Sequence, residues 1–235
     1  MKKIAKIINS LDNIVNIIMS LFFLLILLIG FYTMYDTLIV YSAANGDDLR
    51  TYRPNIVNKD EAEWDMSEIS KDVVAWITID GTNIDYPIMQ GHDNSEYLNK
   101  DPFGNYSLSG SIFLDSRNSP DFSDPYSLVY GHHMDYGKMF GALDDFADNN
   151  YFDNHRTGTL TIGNSVYTLE FFAFLNTDGS TEEIFVPGIG ERTLEFVREH
   201  ASIFYEPING RLIALSTCKS PYTTERTILF GVITK

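Results

Sequence analysis

From residue 73 to the C-terminus the chain runs in short apolar stretches of about four to eight residues, each closed by a turn signal. Such stretches are too short for buried helices and are rich in β-branched and aromatic residues. They cover residues 73–79, 84–89, 111–114, 127–130, 159–162, 166–172, 212–218 and 226–233. Asp80-Gly81 follows the first, and Gly163-Asn164 separates the fifth from the sixth, both hairpin signals. About eight short strands with turns between them predict a mainly β fold, a barrel or a sandwich. Helices are expected to interrupt it at residues 138–147 and 191–202. The second carries Leu194, Val197 and Ala201 at helical spacing, so one of its faces is expected to be buried. A short helix is expected at residues 61–68, capped by Asp60, with Trp64 turned inward.

The content of 44% hydrophobic and 21% charged residues suits a chain with a sizeable core. The net charge of −15 argues against a nucleic-acid partner and fits a soluble, acidic surface.

The N-terminus has a different character. No charge occurs from Asn13 to Tyr35, and Leu21 to Ile29 is apolar throughout. As a helix this stretch is about 34 Å long, enough to cross a hydrocarbon core of about 30 Å. Lys2, Lys3 and Lys6 precede it, while Asp36, Asp47 and Asp48 follow. The positive-inside rule therefore keeps residues 1–12 in the cytoplasm and places the rest outside. Ser42-Ala43-Ala44 resembles a cleavage site, but the apolar run exceeds a signal h-region of about 7–15 residues, so a retained single-pass anchor is expected. The expected organisation is a cytoplasmic N-terminus at 1–12, an anchor at 13–35, a linker at 36–58 and an extracytoplasmic catalytic domain at 59–235.

The chemistry-bearing residues lie at strand ends. Cys218, the only cysteine, ends one strand. It cannot pair within the chain and is either an inert buried thiol or a free reactive one. Its place just before a polar turn favours the reactive reading. A thiol attacks carbonyls as thiolate, and its ordinary pKa of about 8.5 calls for a base or a cation nearby. Of five histidines, only His132 and His133 close a strand, after Gly131. Arg226 opens the strand that follows Cys218 and supplies a permanent cation for an oxyanion. The acidic run Asp144, Asp145 and Asp148 lacks calcium-loop spacing and reads as a solvated helix face; no metal or cofactor is expected.

Leu215-Ser216-Thr217-Cys218 resembles the cysteine signature of sortases, the membrane-anchored cysteine transpeptidases of Gram-positive bacteria. Tyr130-Gly131-His132 resembles their histidine motif, and Arg226 falls where their arginine belongs. The segments at 72–77, 86–88, 93–94 and 110–115, and the helix before the cysteine strand, resemble class B sortases in particular. The resemblance runs from about Trp64 to the C-terminus. It implies a closed β-barrel of about eight strands with an N-terminal helix and a helix inserted before the cysteine strand. It implies Cys218 as nucleophile through a thioacyl intermediate, His132 as acid and base, and Arg226 as oxyanion or carbonyl binder. Asn94, Leu98, Tyr130 and Ser216 would line the groove for a sorting signal. The implied partners are the sorting-signal peptide of secreted proteins, an amine of a peptidoglycan precursor or cross-bridge, and the cell membrane through the N-terminal helix.

Two features depart from the pattern. Lys219 stands where some class B members carry an acid, and the loop from Cys218 to Arg226 is short. Asp101-Pro102-Phe103 is similar to the lid motif of pilin-type sortases, but its place after the first strands makes it a loop. Three alternatives compete. A cell-wall L,D-transpeptidase normally has glycine before its cysteine, where this chain has Thr217. Papain-like peptidases place cysteine before histidine. An inactive membrane-tethered peptide-binding module would not need the full Cys, His and Arg set.

Overall fold

The computed structural model describes residues 2–43, 49–187, 190–218 and 223–235. Ala44, Asp47, Asp48 and Lys219 lie outside the described residues. Two units separate. The first is one long helix, α1 (Lys2–Ala43), whose large apolar side chains are exposed along its length. It is long and apolar enough to cross a membrane.

The second unit is built on eight strands: β1 (Val73–Ile79), β2 (Asp85–Met89), β3 (Ile112–Leu114), β4 (Tyr126–Tyr130), β5 (Thr157–Ile162), β6 (Ser165–Asp178), β7 (Arg211–Cys218) and β8 (Glu225–Thr234). They pair in the order β6-β8-β7-β4-β3-β2-β1-β5, and β5 pairs back onto β6, so the sheet closes into a barrel. Closure removes the open edges that a sheet of this size would otherwise expose. These are the eight apolar runs of the sequence. The widest difference is β6, which continues to Asp178 because β8 pairs with it along its whole length.

The turns follow their residues. Gly163 has φ +54° at the first position of the two-residue loop between β5 and β6, where a II′ turn requires a positive φ. Gly81 has φ +75° after β1.

Two helix expectations are corrected. Residues 61–68 form a short strand, Glu61–Glu63, paired with Asn55–Asn58, then a single 3₁₀ turn, Met66–Glu68, capped by Asp65. Asp60 caps no helix; its N–H bonds the Asn58 side chain in the hairpin turn. Trp64 does turn inward, edge-on to Trp76, with its indole N–H on the Tyr52 carbonyl. Residues 138–147 split into a two-residue strand, Lys138–Met139, and a 3₁₀ segment, Gly141–Ala147. Gly141 packs so tightly under Met134 that a Cβ there would lie 1.9 Å from the Met134 carbonyl oxygen. The helix before the cysteine strand is present as α4 (Gly190–His200), after α2 (Asn149–Asn154) and α3 (Glu182–Phe185).

Strand alternation sends side chains of β7 and β8 to two cores. Ile213, Leu215 and Leu229 fill the barrel with Trp76, Ile88 and Phe171. Ala214, Ile228 and Phe230 face outward under Ile184 of α3 and Val197 of α4. The outer face thus has a helical cover, and Ser216 and Cys218 continue that same face at the end of β7.

Candidate active site

Strand register brings the chemistry-bearing residues together. β4 and β7 run parallel with Tyr130 aligned to Ser216, and the Gly131 N–H continues the ladder onto the Ser216 carbonyl at 3.1 Å. His132 and Cys218 each lie two residues further on, so they fall in line. β7 and β8 run antiparallel with Cys218 directly opposite Arg226, and β6 sets Thr177 opposite Arg226 on the other side. The row His132, Cys218, Arg226, Thr177 therefore crosses adjacent strands spaced about 4.8 Å apart. Gly131 is needed for close packing: a Cβ there would lie 2.4 Å from Ile112 and 2.7 Å from Phe140.

A cleft of about 280 Å³ opens along this row. Its lining includes all seven residues singled out in the sequence: Asn94, Leu98, Tyr130, His132, Ser216, Cys218 and Arg226. Phe113, Gly179, Phe185 and Thr217 complete it. Sequence reading missed these four. Phe113 was findable, since it sits in an apolar run and is the cross-strand partner of Tyr130. Phe185 reaches the cleft only through the tertiary placement of α3.

Each polar group is held. His132 is half-buried, and its Nε2 donates to the Leu98 carbonyl at 2.7 Å. His133 turns away and bonds Asp144 at 2.7 Å, so Asp144 is an ion-pair partner rather than part of a solvated helix face. Arg226 Nη1 donates to the carbonyls of Thr224 and Glu225 at 3.1 and 3.3 Å. The Ser216 and Thr217 hydroxyls are buried without a hydrogen-bond partner.

Asp115 organises the far wall. Its carboxylate is fully buried and accepts two bonds from the Arg117 guanidinium, one from Asn94 Nδ2 at 2.8 Å and one from the Tyr130 hydroxyl at 3.0 Å. Burial by itself raises its pKa. The bonds from Arg117 and Asn94, with the Arg117 charge, outweigh burial and hold the carboxyl below its ordinary value. Burial and the Asp115 charge in turn push the Tyr130 hydroxyl well up, so it stays protonated. The Asn94 carbonyl accepts from the Ser116 N–H at 2.7 Å, which fixes the amide orientation and leaves one N–H for the cleft.

The arrangement combines a thiol, an imidazole and a guanidinium at one end of a partly apolar cleft. That set suits acyl transfer through cysteine. Comparison with known proteins agrees. Residues 77–234 match the model of the sortase domain. Sortase B of Listeria monocytogenes is 32% identical over 80% of each chain, and sortase B of Staphylococcus aureus is 29% identical over 72% of this chain and 73% of its own. A class B sortase of Streptococcus pyogenes involved in pilus biogenesis superposes with TM-score 0.66 and 39% identity, over 72% of this chain and 95% of its own. The S. aureus sortase B–substrate complex superposes with TM-score 0.65 and 29% identity, over 72% and 83%. These matches favour neither an L,D-transpeptidase nor a binding module, and with the barrel and its cleft they show that the chain belongs to the sortase family, with class B sortases as its structural neighbours.

Proposed function

We propose that this transpeptidase cleaves the C-terminal sorting signal of secreted proteins and transfers them to an amine of the cell wall, using Cys218, His132 and Arg226. The observation that carries the reading is the single cleft shared by these three side chains. The related S. aureus enzyme has been solved with a substrate and, at 28% identity, with triglycine, which supports a peptide and an amine as the two reactants here.

In the proposed cycle Cys218 Sγ, as thiolate, attacks the carbonyl carbon of the scissile peptide bond. The carbonyl oxygen becomes an oxyanion facing the Arg226 guanidinium. The intermediate collapses by breaking the C–N bond, and the leaving amine takes a proton from His132. A thioester to Cys218 remains. An incoming amine gives a proton to His132 and attacks that thioester, which releases the thiolate and forms the new amide. The unpartnered Ser216 hydroxyl and the free N–H of Asn94 are suited to bond an extended peptide lying between Leu98, Phe113, Tyr130 and Phe185.

Helix α1 is proposed to anchor the enzyme as a single pass with residues 1–12 in the cytoplasm and the catalytic domain outside. The test of function is a pentapeptide library offered to the full-length chain with triglycine as acceptor, read by mass spectrometry. A peptide-sized adduct on Cys218 that triglycine discharges supports the reading. Undiminished cleavage by Cys218→Ala ends it.

A further inference from the structure

We propose that the turn at residues 178–180, at the end of β6, positions Arg226 for the reaction, with Asp178 acting through Thr224. The inference rests on the oxyanion role proposed for Arg226. Thr224 is held at both ends by this turn. Its hydroxyl donates to Asp178 Oδ2 at 2.5 Å, and its carbonyl accepts the Gly179 N–H at 2.9 Å. The same Thr224 carbonyl accepts Nη1 of Arg226 at 3.1 Å. The turn thus fixes Thr224, and Thr224 fixes the guanidinium.

Three further features fit. Gly179 lies flat against Arg226, and a Cβ there would sit 3.4 Å from Cζ and 3.1 Å from the Thr224 carbonyl oxygen. Asp178 is the direct cross-strand partner of Glu225, a like-charge placement that costs stability unless something offsets it. The offset is at hand: Asp178 accepts from the Ser180 N–H and hydroxyl and from Thr224, and it lies in the field of Arg226. The Ser180 and Thr224 bonds, with a smaller contribution from the Arg226 charge, bring the Asp178 carboxyl down to about 2, so it stays charged across the working range.

A positioning residue must lose its effect when the group it positions is gone. The test is a double-mutant cycle on the full-length chain in detergent micelles. The probe is the library pentapeptide that acylates unaltered Cys218 fastest, and the readout is single-turnover acylation at saturating peptide. Thr224→Val is expected to slow acylation about tenfold with half-saturation unchanged, because a small misplacement of a charge-stabilising group acts on the transition state. Thr224→Ser keeps the hydroxyl and is expected to restore the rate. In an Arg226→Ala background, Thr224→Val is expected to add less than about twofold. Asp178→Asn is taken through the same cycle, so a folding defect of the valine variant leaves the question answerable. A full tenfold loss that persists without Arg226 overturns the inference. Unchanged acylation in Arg226→Ala alone, or no acylation of the unaltered chain by any member, overturns the functional reading, and this inference with it.

Discussion

His132 Nε2 donates to the Leu98 carbonyl at 2.7 Å. A carbonyl oxygen only accepts, so Nε2 carries hydrogen in both charge states of the ring. The nitrogen that gains and loses a proton is therefore Nδ1. Leu98 thus has two tasks in the cleft: its side chain lines the wall, and its backbone sets the tautomer.

His132→Ala is expected to lower peptide cleavage by about 10²–10⁴, the usual contribution of a positioned acid–base group. His133→Ala removes a partly exposed pair with Asp144 and is expected to cost at most about 1 kcal/mol of stability, with cleavage largely kept. Cleavage rates and thermal melts of both variants check this. A larger loss in His133→Ala than in His132→Ala would reverse the assignment.

Arg226→Ala is expected to slow acylation by about 10²–10³, as for loss of one oxyanion donor. Arg226→Lys is expected to recover little, since an ammonium keeps the charge but not the planar fork. Melting should be almost unchanged, because the side chain lies half-buried at a strand end. Single-turnover acylation beside thermal melts decides it; near-normal acylation in the alanine variant would assign the oxyanion to another group.

Asp115→Asn should alter both stability and peptide binding. The folded-state pKa of Asp115 is lowered. Its stabilising effect is therefore complete above the unfolded value of about 3.9 and is lost as pH falls through the lower folded value. The variant is expected to lose about 1–3 kcal/mol near neutral pH, because Arg117 and Tyr130 keep donors aimed at a weaker acceptor. The gap to the unaltered chain should narrow below about pH 4. Half-saturation for peptide should rise as Asn94 and Tyr130 loosen. Melts between pH 7 and pH 3 give the answer; a gap that stays constant across that range would remove Asp115 ionisation as the cause.

Residues beyond Tyr35 are expected outside the cytoplasmic membrane. Protease added to intact protoplasts should degrade the C-terminal region and spare the N-terminal tag of a doubly tagged chain. Protection of the C-terminal tag would refute this topology.

Local pattern was enough to read the barrel strands, because apolar runs and turn residues are local properties. It failed at residues 61–68 and 138–147. There Glu61–Glu63 is recruited by a neighbouring hairpin and Gly141 by contact with Met134, and neither contact is local in sequence. The cleft was legible where residues sit at strand ends, as with Cys218, His132 and Arg226. Asp115 shows the limit. A lone aspartate after a strand reads as a turn residue, and only the approach of Asn94, Arg117 and Tyr130 makes it the centre of a wall. The same holds for Asp178, whose tie to Thr224 depends on the pairing of β6 with β8.

The parallel pairing of β4 with β7 has a consequence for the life of the chain. Its two strands are far apart in sequence, and nothing local draws them together. Until the last strands dock, Cys218 has neither imidazole nor guanidinium beside it, and the chain offers no second thiol for a wrong disulfide. A newly exported chain that stalls partway is therefore chemically quiet toward amides. Reactivity at this thiol switches on with completion of the barrel, so the enzyme cannot cut its clients, or its neighbours, before it is whole.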